Sequence, residues 1–474
     1  MNPYPRVGVS GFIDIPLGPT PITMIQISRS RLGTWLLATL AAVALTTLAH
    51  AKSPKNLLVV TVTKGFRHSS IPTAEKTLSA LAAKTGDFTV DFVRNDADMA
   101  QKMTLAALAK YDGVIFANTT GDLPLPDKDG FLKWIQSGKA FVGMHSASDT
   151  FRGHKPLDPY NVMLGGEFLT HGAQATVECI NQDPNHPACK HFGPTYKIHD
   201  EIYILDGFQR PTVHGLLTLD KHPNSGMPGD YPIAWAKKVG KGRIFYTSLG
   251  HREDVWESDP YRKHITGGIR WALGLEKGDA TPQRTTAKLS REESKAGFKP
   301  LYNGDNLIGW HARNASGHQS WSSQNGMLVN VMGKEHGTDL VSDAKFMNFT
   351  IRYEYMVPKG ANSGLYLRGR HEIQIFDDFD AKVPKDSGNG GLYSIKAADQ
   401  FASRKAGEWQ SVEATMIGNR LTVTLNGVKI HDNVEVPRAT GGELDRNLDA
   451  PGPILLQGDH GAVAFRNVRV KELK

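Results

Sequence analysis

The sequence predicts an α/β doubly wound domain followed by an all-β jelly-roll sandwich, and three observations lead to that expectation. The chain has 474 residues, too many for one ordinary core, so two or three domains are expected. Up to residue 275, apolar β-branched runs alternate with helical stretches; beyond 288 the pattern changes to many short alternating runs separated by Gly, Asn and Asp. With 48 Gly, 26 Pro and 40% hydrophobic residues the chain is folded and turn-rich, neither disordered nor a coiled coil. The net charge of +7 is spread over both halves without a Lys/Arg run, so nucleic acid is not an expected partner.

The elements follow in order. Arg29 and Arg31 precede an uncharged apolar run, 32–48, and then Ala49, His50 and Ala51, the pattern of a secretory signal cut after Ala51. The run is short for a membrane span of about 20 residues and contains Gly33, Thr34 and Thr39, so no permanent span is expected. Residues 1–51 are therefore read as a leader, with 1–23 given no structural role, and the mature protein as periplasmic or secreted. In that oxidising compartment Cys179 and Cys189, with nine residues between them, are expected to form a local disulfide worth about 3 kcal/mol.

The first domain is placed at 52–275. Residues 57–63 read as a buried parallel strand ending at Lys64 to His68, and a helix starts after Pro72. Residues 111–117 end at Asn118, 140–143 end at Met144 and His145, and 242–248 end at Gly250 and His251; 131–137 and 261–273 read as helices. Ligands of such sheets bind outside the carboxyl ends of the strands. His68, Asn118, His145 and His251 would therefore converge on one crevice, with His171, from a loop also bearing Glu167, as a fifth member. Neutral imidazoles together suit a divalent metal such as zinc, held by His145, His171 and His251, or acid/base work near neutral pH.

Gly65 to His68, Asn118 to Asp122, Gly143 to His145, His186-Pro187, Asp200 to Tyr203, Pro232 to Trp235 and Leu249 to His251 resemble the ThuA-like trehalose-utilisation family over residues 55–275. The resemblance implies a flavodoxin/amidotransferase-like fold, similar to class I glutamine amidotransferases. Where those enzymes carry a catalytic Cys, this chain has His145 followed by Ser146, so glutaminase chemistry is not expected.

Residues 276–288 are polar and read as a linker. The second domain, 289–474, opens with capping-box spacing at Ser290 and Glu293. Strands are expected at 326–331, 349–356, 364–367, 372–376, 411–417, 420–425, 454–457 and 463–470. Asn426-Gly427 would be a hairpin turn if 428–431 pairs back. A three-residue loop at 369–371 would pair Arg368 with Glu372 and Tyr366 with Gln374 on one face, leaving Leu365, Leu367, Ile373 and Ile375 on the other.

Asn362 to Gly364, Leu367-Arg368, Glu372 to Ile375, Gly391 to Tyr393, Gly407 to Trp409, Leu425 to Gly427, Leu455 to Gln457, His460-Gly461 and Phe465 to Asn467 resemble the 3-keto-disaccharide hydrolase family over 289–473. That resemblance implies a concanavalin-like jelly roll and substrates oxidised at carbon 3 of a sugar ring, supplied by a separate sugar 3-dehydrogenase. A carbon-3 ketone acidifies the carbon-2 proton; its removal lets the enolate expel the oxygen at carbon 1, and water then adds. Glu372 or His460 is the expected base and Arg368, with or without a divalent metal, the enolate stabiliser. Asn362, Tyr366, Gln374, Tyr393 and Gln457 are the expected substrate-binding residues. The leading expectation is an exported enzyme cleaving 3-keto-glycosides in the jelly roll. The alternative is a catalytic first domain tethered by a carbohydrate-binding jelly roll, which would show exposed stacking aromatics, with Trp310, Trp321 and Trp409 as candidates.

Overall fold

Both faces of the first strands are lined with apolar side chains, and the fold buries both. The computed structural model describes residues 53–333 and 336–474; the leader and its cleavage position lie outside the described residues. Strands β1 (Lys55–Val60), β3 (Gly113–Ala117) and β4 (Ala140–Met144), with β2 (Phe88–Val93) at the edge, run parallel. Leu57, Val59, Ile115, Val142 and Met144 face one core, beneath helices Ile71–Thr85 and Asp259–Ala272. Leu58, Val60, Val114, Phe116 and Phe141 face another, beneath Lys128–Gln136 and Pro159–Leu164. Burial on both faces explains why these strands read as continuous apolar runs.

The sheet is larger than the expected parallel one. After β5 (Glu167–His171), β6 (Ala175–Asn181), β7 (Thr195–Asp200), β8 (Tyr203–Asp206), β9 (His214–Lys221), β10 (Pro228–Val239) and β11 (Gly242–Thr247), the order is β2-β1-β3-β4-β11-β10-β9-β6-β7. Strand β11 joins β4 in parallel, whereas β10, β9, β6 and β7 extend the sheet antiparallel. The first half is thus a mixed α/β sheet, doubly wound only over its parallel part. Strands β5 and β8 form a separate pair above it.

The second half is all β: β12 (Lys299–Pro300), β13 (Trp310–Ala312), β14 (Trp321–Gln324), β15 (Met327–Asn330), β16 (Leu340–Phe346), β17 (Phe349–Met356), β18 (Asn362–Leu367), β19 (His371–Phe376), β20 (Gln410–Ile417), β21 (Arg420–Leu425), β22 (Val428–Glu435), β23 (Gly452–Leu456) and β24 (Val463–Glu472). An eight-stranded sheet built on β24, β17, β20 and β21 faces a five-stranded sheet β13-β16-β23-β18-β19 across one core, an arrangement consistent with a jelly roll. Ser290 and Glu293 form the reciprocal capping box, and β22 pairs back onto β21 across Asn426-Gly427.

Two expectations need correction. The β18–β19 loop is Arg368-Gly369-Arg370, so Leu367 faces His371 and Tyr366 faces Glu372 directly, two residues from the expected register. The side-chain faces survive, because a shift of two preserves parity. Cys179 and Cys189 are free buried thiols, not a disulfide; Cys189 Sγ lies 3.8 Å from the Leu216 carbonyl, and burial pushes the Cys179 thiol up to about 12. They pack as small apolar side chains. Residues 276–288, read as a linker, are bonded to the parts on either side: the Thr281 carbonyl accepts from His214, Thr285 bonds Asn325 and Ala287 N–H bonds the Asn303 carbonyl. Residues Pro54–Lys474 form one compact unit.

Candidate functional site

Two groups of side chains carry chemistry. The first sits at the carboxyl ends of the parallel strands, where β4 stops at Met144 and His145 opens a 3-10 turn with φ 48°. A left-handed conformation at a fully buried non-glycine residue costs on the order of 1–3 kcal/mol and is held only by firm surroundings. His145 Nδ1 lies 2.8 Å from the Ser248 carbonyl, which can only accept, so Nδ1 carries the proton and Nε2 a lone pair. That Nε2 is 3.1 Å from His68 Nε2, 3.1 Å from the Tyr203 hydroxyl and 3.8 Å from Glu201 Oε2.

His251 Nδ1 is 3.2 Å from Glu201 Oε2, and His171 Nδ1 is 3.2 Å from Glu201 Oε1. Glu201 follows Asp200, whose carboxylate accepts the backbone N–H groups of both Glu201 and Gly250. Gly250 has φ 118°, and a Cβ there would meet the Tyr261 hydroxyl at 2.8 Å, so the loop that presents His251 requires glycine.

Burial, reinforced by the neighbouring His251, holds His68 down to about 4, and burial, with His68 beside it, holds His145 well below the usual imidazole range; the bond to Glu201 raises His251. The cluster that could hold a metal ion is therefore His68, His145, Glu201 and His251, with ligand atoms within 4.8 Å of one another. This corrects the expected trio: His171 is exposed and touches Glu201 from outside the set.

Asn118 does not line the crevice. Its amide donates to the Gly250 carbonyl (3.0 Å) and Ser70 Oγ (3.2 Å), tying together the loops that carry His251 and His68. Ser146 is buried, its Oγ 3.4 Å from His68 Nδ1, and Glu167 accepts from the Gly153 N–H. The crevice, about 530 Å³, is bordered by Phe66, Asp122, Asp149, Arg152, Phe168 and Tyr203. Glu201 and Tyr203 stand in the Asp200 to Tyr203 motif but follow no parallel strand, which is why strand-end reasoning passed over them.

The second group lies on the β18–β19 hairpin. Glu372 is 3% exposed; the Tyr366 hydroxyl donates to its Oε2 (2.8 Å) and the Thr440 hydroxyl accepts from its backbone N–H (2.9 Å). Gln374 donates to Glu372 Oε1 (2.9 Å) in the amide orientation that satisfies its partners. Burial pushes the Glu372 carboxyl up to about 7, against the lowering by the Tyr366 bond and the His460 charge. Gly364 makes the room: a Cβ there would stand 2.1 Å from Glu372 Oε1.

Asn362 pairs with Gln374, and Gln457 lies beside Gly364, its N–H on the Gly364 carbonyl and its Oε1 buried without a partner. His460 is half exposed, its Nδ1 2.5 Å from Asp459 Oδ1. Tyr393 is 37% exposed and joins Glu372 through its backbone N–H. Arg368 is the correction here: at φ 54° in the hairpin loop, its guanidinium donates to the carbonyls of Met347, Gly418 and Leu448, away from Glu372. Sequence reasoning also missed Asp339, buried, salt-bridged to Arg313 (3.1 Å) and bonded to the Gly458 N–H; it lies in no alternating run.

The α/β sheet thus gathers imidazoles at its strand ends, and the sandwich holds a buried carboxylate. The family described as ThuA, trehalose utilisation, matches residues 56–272, and the family described as 3-keto-alpha-glucoside-1,2-lyase-like domain matches 297–471. The chain thus fuses a ThuA domain to a 3-keto-disaccharide hydrolase domain and is carbohydrate-active in class. No curated protein matches the chain. Among solved structures, a protein of Parabacteroides distasonis described as a glycosyl hydrolase is 21% identical, covering 40% of this chain and 100% of its own, with TM-score 0.35. A ThuA-like protein of Parabacteroides merdae is 19% identical, covering 48% and 92%, with TM-score 0.40. The carbohydrate-binding module CBM66 of Bacillus subtilis is 15% identical, covering 35% and 96%, with TM-score 0.24. Among the described residues no helix is long and apolar enough to cross a membrane.

Proposed function

We propose that this chain is an exported enzyme that cleaves 3-keto-glycosides at the β18–β19 hairpin. The observation that carries the reading is Glu372: a buried carboxylate, raised to about 7 by its burial, bonded by Tyr366 and Gln374, with Asn362 on Gln374 and Gln457 on Gly364. A base of that strength is matched to a carbon-2 proton made acidic by the adjacent ketone. Glu372 takes the proton, and the electron pair passes into the carbon-3 enolate. Its collapse restores the ketone, forms the carbon-1 to carbon-2 double bond and releases the glycosidic oxygen. Addition of water at carbon 1, with a proton returned to carbon 2, completes net hydrolysis.

With Arg368 occupied by three backbone carbonyls, His460, backed by Asp459, takes the part of donor to the enolate and leaving oxygens. Gln457, whose Oε1 has no internal partner, accepts from a sugar hydroxyl, alongside Asn362, Gln374 and the exposed Tyr393. A separate sugar 3-dehydrogenase supplies the ketone.

The reading in which the sandwich only binds sugar loses its stacking platform. Trp310 and Trp321 are buried with their indole N–H groups on the Leu301 and Thr338 carbonyls, and Trp409 bonds Asp220. The test is Glu372→Gln in the intact chain on a chromogenic 3-keto-glucoside: kcat/KM is expected to fall roughly 10²- to 10⁴-fold with the fold retained. Activity within a few-fold of wild type overturns the assignment.

A further inference from the structure

The geometry points to a divalent transition-metal site at His68 Nε2, His145 Nε2, His251 Nδ1 and Glu201 Oε2, open on one side to a polyhydroxylated ligand. For metal–ligand bonds of about 2.0–2.1 Å, donors around a tetrahedral ion such as zinc stand about 3.3 Å apart. Three donor pairs stand near that spacing, 3.1 Å between His145 and His68, 3.2 Å between His251 and Glu201 and 3.8 Å between His145 and Glu201, and all four donors lie within 4.8 Å of one another. The four come from three strand-end loops and the turn before β8, with the imidazole rings edge to face at centroid distances of 4.6, 5.2 and 5.3 Å.

The outer partners agree with this assignment. A ligating imidazole is normally oriented through its other nitrogen. His145 Nδ1 is fixed by the Ser248 carbonyl at 2.8 Å, which aims its Nε2 lone pair at the other three donors, and His68 Nδ1 has Ser146 Oγ at 3.4 Å. His171 holds the second oxygen of Glu201 at 3.2 Å, leaving Oε2 turned inward. Three neutral imidazoles and one carboxylate favour zinc, cobalt or a similar borderline ion over calcium or magnesium, which prefer all-oxygen sets.

The open side faces the 530 Å³ crevice. Phe66, 67% exposed, lines it with its ring edge to face with His68, as does Phe168, packed against Tyr203. Rings for the apolar face of a sugar, with Asp122, Asp149 and Arg152 for its hydroxyls, fit a hydroxy-ketone sugar whose adjacent oxygens reach the ion. This ligand class rests on the 3-keto reading of the sandwich; the metal site stands without it.

The test is a cobalt(II) titration of the chelator-stripped intact chain. One equivalent is expected to bind with the visible absorption of a low-coordinate nitrogen-rich site and to be displaced by zinc. Because His145 is fully buried and His145→Ala could disturb the fold, the diagnostic variants are His251→Ala and Glu201→Gln, each checked by near-ultraviolet circular dichroism. Both are expected to weaken cobalt binding at least roughly tenfold, while Glu372→Gln binds as wild type does. Absence of stoichiometric cobalt binding in the wild type, or unchanged affinity in both variants, overturns the site. Millimolar 3-keto-glucose is expected to shift the cobalt bands; unshifted bands on a cobalt-loaded chain overturn the sugar assignment alone, and Glu372→Gln kinetics report separately on the sandwich.

Discussion

Glu372 combines two properties that pull against each other at the level of a single residue. Its burial raises the carboxyl from 4.5 to about 7, so the native state holds a proton that the unfolded chain releases. The contribution of this group to stability is therefore fully present below about pH 4.5 and lost as pH rises through about 7, a change on the order of 3 kcal/mol. Urea midpoints across that window are expected to fall less in Glu372→Gln than in wild type. Catalysis has the opposite slope, because a base must be unprotonated: kcat/KM is expected to rise tenfold per pH unit up to about 7 and then level off. A flat profile through neutral pH would remove Glu372 from the base role.

The hairpin that carries Glu372 shows what an element adds to a residue. Alternation along 362–376 already implied that Tyr366, Glu372 and Gln374 share a face, and parity preserved this through the two-residue change in register. What alternation could not convey is that Arg368 leaves the strand, because the loop turns one residue earlier and three carbonyls capture the guanidinium. Gly364 is the element's other requirement. Gly364→Ala places a methyl 2.1 Å from Glu372 Oε1 and, with no left-handed backbone at that position, is expected to leave the fold intact while displacing the carboxylate. A loss in kcat of roughly 10²-fold, with KM changed less, is the expected kinetic result.

Across the whole molecule, the two halves are joined by specific bonds in addition to the covalent link. The Trp409 indole donates to Asp220 (2.7 Å), Lys221 to the Gly407 carbonyl, and Asp230 N–H to Gln324 (3.0 Å), while Arg210 holds the Asp230 carboxylate in place. An indole bond to a charged acceptor at a half-buried position is worth about 1–2 kcal/mol. Trp409→Ala is expected to resolve a single thermal transition of the intact chain into two, read by calorimetry; one unchanged transition would show that other contacts couple the halves.

The sequence by itself determined the order of the two halves, the parallel strands β1, β3, β4 and β11 though not the edge strand β2, and the face on which Glu372 lies, because alternation and apolar runs are local consequences of which face is buried. It also carried His68, His145 and His251 to one crevice, since strand ends in a parallel sheet share an edge. Only the tertiary structure decided that Glu201 completes that cluster while His171 stands outside it, that Asp339 lies near Glu372, and that Cys179 and Cys189 remain apart as thiols. Those outcomes depend on antiparallel strands and loops brought together from distant positions, and no local pattern encodes the distance between two side chains far apart in the chain.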